Sequence, residues 1–166
     1  MINKKIIINN GDGSVAILHP APEMFDSKSR TRKLLESKGV VFTSDEEVLQ
    51  YIISKDVPVG KEHRIVDAAK LPSDRTFRDA WTDDFDTDTV DVDITKAKEI
   101  RKNHLRELRK PLLEALDIDF MRALEQGKST ISITSKKQAL RDITKVSLPD
   151  DLEALKDFIP DILKNV

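Results

Sequence analysis

An apolar stripe running from Ile94 to Leu124 constrains this chain more than any other feature. Ile94, Ala97, Ile100, Leu105, Leu108, Leu112, Leu116, Phe120, Ala123 and Leu124 recur mainly at steps of three or four. That period is the signature of one helix face. It predicts a single long helix over about 94–126, started by Asp93 or Thr95 and ended by Gly127. Pro111 lies inside it and removes one backbone hydrogen bond, so a kink is expected there. A helix with so continuous an apolar face needs a second surface to cover it.

The charge pattern changes where this helix begins. Asp83 to Asp93 contains six acids and no base, whereas Lys96 to Lys110 contains seven bases and two acids. The acidic stretch, 83–93, reads as a linker or edge strand. Before it, strand and helix signals alternate irregularly, which predicts a small α+β domain over 1–82. Ile6-Ile7-Ile8 and Val15-Ala16-Ile17-Leu18 flank an Asn/Gly-rich turn and predict a β-hairpin. Ser29 to Lys38 reads as a short basic helix stopped at Gly39, and Val40-Val41-Phe42 as a short strand. Ser44 and Glu47 have capping-box spacing ahead of an apolar stripe of Val48, Leu49, Ile52 and Ile53. His63 to Asp67 reads as another strand.

After Gly127 a second helix is expected over about 134–144, with Ser135 and Gln138 as its capping pair. The short link makes it an antiparallel neighbour of the first. Pro149-Asp150-Asp151 starts a third, short helix, broken at Pro160. The fold class is therefore α+β: a small N-terminal head, followed over 94–166 by an antiparallel helical hairpin with a short C-terminal helix.

Composition narrows the function classes. Of 166 residues, 35% are charged and only 5% aromatic, which predicts a thin core and an elongated or two-lobed shape. A net charge of -2 argues against a globally basic nucleic-acid binder. The absence of Cys removes disulfides, thiolate metal sites and a Cys nucleophile. No apolar run approaches the roughly 18 residues of a membrane span. The opening Met-Ile-Asn-Lys-Lys-Ile-Ile-Ile is too short a signal-peptide core. The expectation is a soluble protein made in the cytoplasm, with no membrane partner.

No constellation carries catalytic chemistry, so an enzyme is not expected. Asp84, Asp86 and Asp88 match positions 1, 3 and 5 of a calcium loop, but Thr89 replaces its glycine and Thr95 its bidentate Glu. The segment is read as solvated and acidic. His19, His63 and His104 lack metal-ligand spacing, and Gly11-Asp12-Gly13 does not lead into a helix. No catalytic residue, cofactor or metal is expected. The basic helix residues Lys98, Arg101, Lys102, Arg106 and Arg109 raise nucleic-acid binding as the alternative function, against which the upstream acids argue. Arg75-Thr76-Phe77-Arg78-Asp79-Ala80-Trp81 gathers the single Trp, a Phe and two Arg at the domain junction. It reads equally as a hydrophobic plug and as a partner anchor.

Two segments together resemble proteins encoded among the tail genes of tailed bacteriophages. One is Leu71 to Trp81. The other holds Arg106-Glu107-Leu108-Arg109-Lys110-Pro111-Leu112-Leu113 with Asp117, then Gln138-Ala139-Leu140-Arg141-Asp142. This looks like the R-x-x-R-x-x-L-L-x-x-x-D…Q-A-L-R-D pattern of phage tail assembly chaperone-like and tail-fibre-associated proteins. Ile118 stands where that pattern carries a Trp. The resemblance spans about residues 71–145. It implies a non-enzymatic protein of the virion tail, or a factor assisting tail or tail-fibre assembly, made in the host cytoplasm. The implied partners are other tail or virion proteins, or further copies of the chain. Arg75, Phe77, Arg78, Trp81, Arg106, Arg109, Gln138 and Arg141 are the expected partner-binding residues. Leu108, Leu112, Leu116 and Leu140 are expected to form the seam between the helices. Arg106, Arg109 and Arg141 are expected to pair with Asp117 and Asp142 across it.

Overall fold

The computed structural model describes residues 3–87 and 89–164. The chain divides into two compact units, Met1–Val92 and Asp93–Val166. The class is α+β, with a small antiparallel sheet in the first unit and helices in the second.

The first unit is organised by β1 (Lys4–Asn9), the central strand of a three-stranded antiparallel sheet. On one side it pairs with β2 (Val15–Leu18) and on the other with β3 (His63–Asp67). The β1–β2 turn closes through Asn10 N–H to the Ser14 carbonyl at 3.1 Å, with Gly11 and Gly13 at φ 90° and 75°. Such angles favour glycine. Side chains alternate across a strand. Ile6 and Ile8 therefore face one way, packed with Val48, Leu49, Ile52, Ile53 and Val57. Most of those residues lie on α2 (Asp45–Asp56), the helix started at Ser44. Ile7 faces the other way, packed with Val66, Trp81 and Val90. Three consecutive isoleucines fit because both faces of β1 are covered. Each such burial contributes about 1.5–3 kcal/mol.

Two features depart from expectation here. Val40–Phe42 forms no strand. It is held instead by a buried cation on α1 (Arg30–Ser37): Arg32 donates to the Phe42 carbonyl at 3.1 Å and the Met24 carbonyl at 2.9 Å, and lies over the Phe42 ring. The unit boundary also falls at Val92 rather than at residue 82. The acidic stretch belongs to the first unit, because β5 (Asp91–Val92) pairs back on β4 (Trp81–Thr82). Arg64 on β3 fixes this return through the fully buried Asp83 carboxylate, at 2.8 Å from Nε and 2.7 Å from Nη2. Its Nη2 also reaches the Thr89 carbonyl at 3.2 Å. Asp88, the third residue of the calcium-loop spacing, lies outside the described residues.

The second unit is built on α3 (Ile94–Glu125), which continues through Pro111. Asp93 caps it, accepting from the amides of Thr95 at 2.8 Å and Lys96 at 3.1 Å. Gly127, at φ 64°, reverses the chain, with Lys128 N–H bonded to the Ala123 carbonyl. The next helix, α4 (Ile131–Arg141), begins earlier than the expected 134 and ends in a 3-10 turn over Asp142–Lys145. The Ser135 capping pair is not used, since that serine sits inside the helix. Then follow α5 (Leu152–Asp157), capped by Asp151, and α6 (Asp161–Lys164) after Pro160. Ala97, Leu105, Leu140, Ile143, Leu148 and Leu155 are buried in this unit.

Candidate docking surface

In the second unit, α3 and α4 run antiparallel. Arg109 contacts the end of α4, while Asp117 and Phe120, further along α3, contact Lys137 near its middle. Between them lies an open groove of about 470 Å³. Leu112, Ala115 and Leu116 form one wall, and Leu140 and Ile162 contribute the rest of the apolar lining. Asp119 and Lys136 supply the polar lips. Beyond the groove, Ile118, Met121 and Leu124 on α3 are each more than half exposed, and Ile131 at the start of α4 is 80% exposed. The expected seam thus forms in part. Leu112, Leu116 and Leu140 meet at the groove, but Leu108 is 38% exposed.

The arginines expected to pair across the seam are used differently. Arg109 Nη1 donates to the carbonyls of Arg141 at 2.7 Å and Leu140 at 3.3 Å. Both carbonyls lie at the C-terminal end of α4, where a cation is favourable. Arg106 donates to the Asn103 side chain. Asp117 pairs with Lys137, whose ammonium also lies 4.9 Å from the centre of the Phe120 ring. Asp142 accepts from Gln138 Nε2 at 2.9 Å and pairs with Lys145 at 2.6 Å. These hydrogen bonds, led by the Gln138 donor, hold the Asp142 carboxyl below its ordinary range. The Arg141 side chain is exposed.

In the first unit the junction motif separates into two kinds of residue. Trp81 is 4% exposed and belongs to the core on the Ile7 face of β1, and Phe77 is also buried. Neither ring is offered to a partner, so the plug reading describes them. Trp81 Nε1 is buried without a hydrogen-bond partner. Leaving it so costs about 1–3 kcal/mol, which the surrounding apolar contacts offset. Arg75 and Arg78 are exposed, joined by one turn in which Arg78 N–H donates to the Arg75 carbonyl at 3.1 Å.

Several cations in the basic half of α3 are engaged within the protein. Lys98 pairs with Asp150, and Lys102 with Glu99 at 2.7 Å. Arg101 is buried, and its Nε donates to the Phe158 carbonyl at 3.0 Å. Burial lowers the Arg101 pKa, while the Asp157 charge opposes that shift.

In the acidic stretch, Asp84 Oδ1 accepts from the amide and hydroxyl of Thr87 and from the Asp86 amide, which lowers its pKa. Among the described residues, no group of three or more His, Asp and Glu is arranged to hold a metal ion. None of the described helices is long and apolar enough to cross a membrane. In comparisons with protein-family models, curated proteins and solved structures, nothing matches this chain.

The lips of the groove were not legible in the sequence. Lys136 and Asp119 look like ordinary helix-surface residues, and Ile162 lies in a short segment after Pro160 with no helical period of its own.

Proposed function

We propose that this chain is a non-enzymatic docking protein of a tailed bacteriophage, either built into the virion tail or assisting tail assembly. The observation that carries this reading is the open groove of the second unit. Its wall is supplied by Leu112, Leu116 and Leu140, which lie within the second of the two segments that resemble tail proteins. The occupant we infer is an apolar-faced segment of another tail protein. Uncovered apolar surface of this kind favours a partner over solvent. The nucleic-acid alternative has less support, because Lys98, Arg101, Lys102, Arg106 and Arg109 all have partners within the protein.

Mass spectrometry of purified particles beside assembly intermediates tests the reading. Stoichiometric presence in the particle is expected of a structural component, and presence only in intermediates is expected of an assembly factor. Leu116→Arg should remove the chain from whichever fraction holds it, while leaving its helical circular dichroism intact. Absence from both fractions would overturn the proposal.

A further inference from the structure

The sheet of the first unit ends at an open edge, and its chemistry does not depend on the phage-tail reading. We propose that β3 pairs antiparallel with β3 of a second copy of this chain, about a two-fold axis at Ile65. Two three-stranded sheets then join into one of six strands.

The hydrogen-bond register of β3 determines what its edge offers. Asn9 N–H donates to the Glu62 carbonyl at 2.9 Å, and Ala68 N–H to the Asn3 carbonyl at 2.8 Å. Bonded and non-bonded pairs alternate along an antiparallel ladder. Arg64 and Val66, opposite Ile7 and Lys5, therefore bond to β1 as well. His63, Ile65 and Asp67 aim their backbone groups the other way, where the sheet order β2-β1-β3 has no further strand. Among the described residues, no backbone group outside the sheet bonds to the amide or carbonyl of His63 or Ile65, or to the Asp67 amide. All three residues are exposed, on the face that carries Ile6. Neither a proline nor a break in register closes this edge, although both are common protections.

The edge is also complementary to itself. With Ile65 on the axis, each residue meets the one equally far along on the other side. Ile65 faces Ile65 of the second copy, and the two exchange both backbone bonds. His63 faces Asp67 of the second copy, whose amide reaches the His63 carbonyl. The imidazole can donate to that carboxylate in either protonation state. Further out, Glu62 meets Ala68 and Lys61 meets Ala69, so this register opposes no like charges. Arg64, on the other face, is already neutralised by Asp83. A slip of one bonded pair would set Ile65 against His63 or Asp67 instead of against itself. A strand from a different protein could use the backbone groups, but the symmetric side-chain pattern fits a second copy, because a two-fold interface must match itself.

The test uses the full chain. Sedimentation equilibrium from micromolar to near-millimolar concentration should show a monomer–dimer equilibrium. Ile65→Pro removes an outward N–H, where an edge strand tolerates proline, so it should keep its circular dichroism and stay monomeric. His63→Glu should weaken the dimer about tenfold, and His63→Glu/Asp67→Lys should recover it. The chain has no Cys, so Ile65→Cys places a single thiol on the axis. Bonded pairs sit about 5.5 Å apart between Cα atoms, within disulfide reach, and this variant should form a covalent dimer on mild oxidation. His63→Cys, with its two copies roughly 14 Å apart, should not. Should Ile65→Pro lose its fold, the charge and cysteine variants decide. A monomer at every concentration would overturn the proposal and leave the edge to a strand of another protein. A dimer that His63→Glu leaves unchanged, or that both cysteine variants cross-link equally, would overturn it too.

Discussion

The isoleucine run of β1 and the apolar stripe of α3 are both uninterrupted hydrophobic patterns, yet they end in different states. Ile6 and Ile7 are fully buried, one on each face of the sheet, and Ile8 is nearly so. The α3 stripe is buried at Ala97 and Leu105, partly buried at Leu112, Leu116, Phe120 and Ala123, and open at Leu124, with Ile118 and Met121 exposed beside it. Length explains the difference. At about 1.5 Å per residue, α3 spans roughly 48 Å and α4 only about 16 Å. A strand of six residues is covered by one helix on one face and one aromatic plug on the other. A helix of 32 residues outruns its cover. An apolar pattern therefore reports that burial is needed, and the length of the neighbouring elements decides whether the chain supplies it.

Mutations can break this contrast. The largest effect is expected for Trp81→Ala, which empties the plug on the Ile7 face and should cost about 3–5 kcal/mol in urea unfolding. A neutral result would mean that this face is not a core. Next comes the comparison along α3. Leu105→Ala should cost about 2–5 kcal/mol, and Leu116→Ala less than half of its value, because Leu116 already touches solvent. Equal costs would show the groove to be filled in solution. Asp93→Ala removes the cap from two amides of α3 and should cost about 1 kcal/mol, read in the same way. Ile118→Ser, on the open face, should change stability by no more than about 0.5 kcal/mol.

The smallest effect is a pH dependence at α2. The Glu47 carboxylate accepts from the Thr43 amide at 2.6 Å and hydroxyl at 3.0 Å, which holds its pKa below the ordinary value. Between the folded and unfolded pKa values the unfolded state binds more protons. The contribution of Glu47 is thus complete above the ordinary carboxylate range and is lost as pH falls through the lowered value. Glu47→Gln should flatten that part of the acid-unfolding curve, and an unchanged curve would assign the slope to other carboxylates.

Much of this was present in the linear pattern. The hairpin, the Ser44 start of α2, the reach of α3 and its Asp93 cap follow from side-chain period and local hydrogen-bonding chemistry, which act over a few residues. The start of α4 was misplaced because no side-chain cap marks it: Thr130, the residue flanking its start, makes no capping hydrogen bond. Val40–Phe42 looked like a strand, but β-propensity cannot supply a neighbour, and the Arg32 guanidinium took its carbonyl instead.

What the sequence determined by itself was where most of the helices and strands lie, and that α3 would carry an apolar face. Only the tertiary structure decided which residues that face keeps covered, that Trp81 points inward, and that the acidic stretch folds back onto the first unit. Each of those outcomes depends on groups far apart in the chain. Arg64 meets Asp83 across 19 positions and Arg109 reaches Arg141 across 32. No local propensity encodes such partners, because burial and ion pairing are energies of proximity in space.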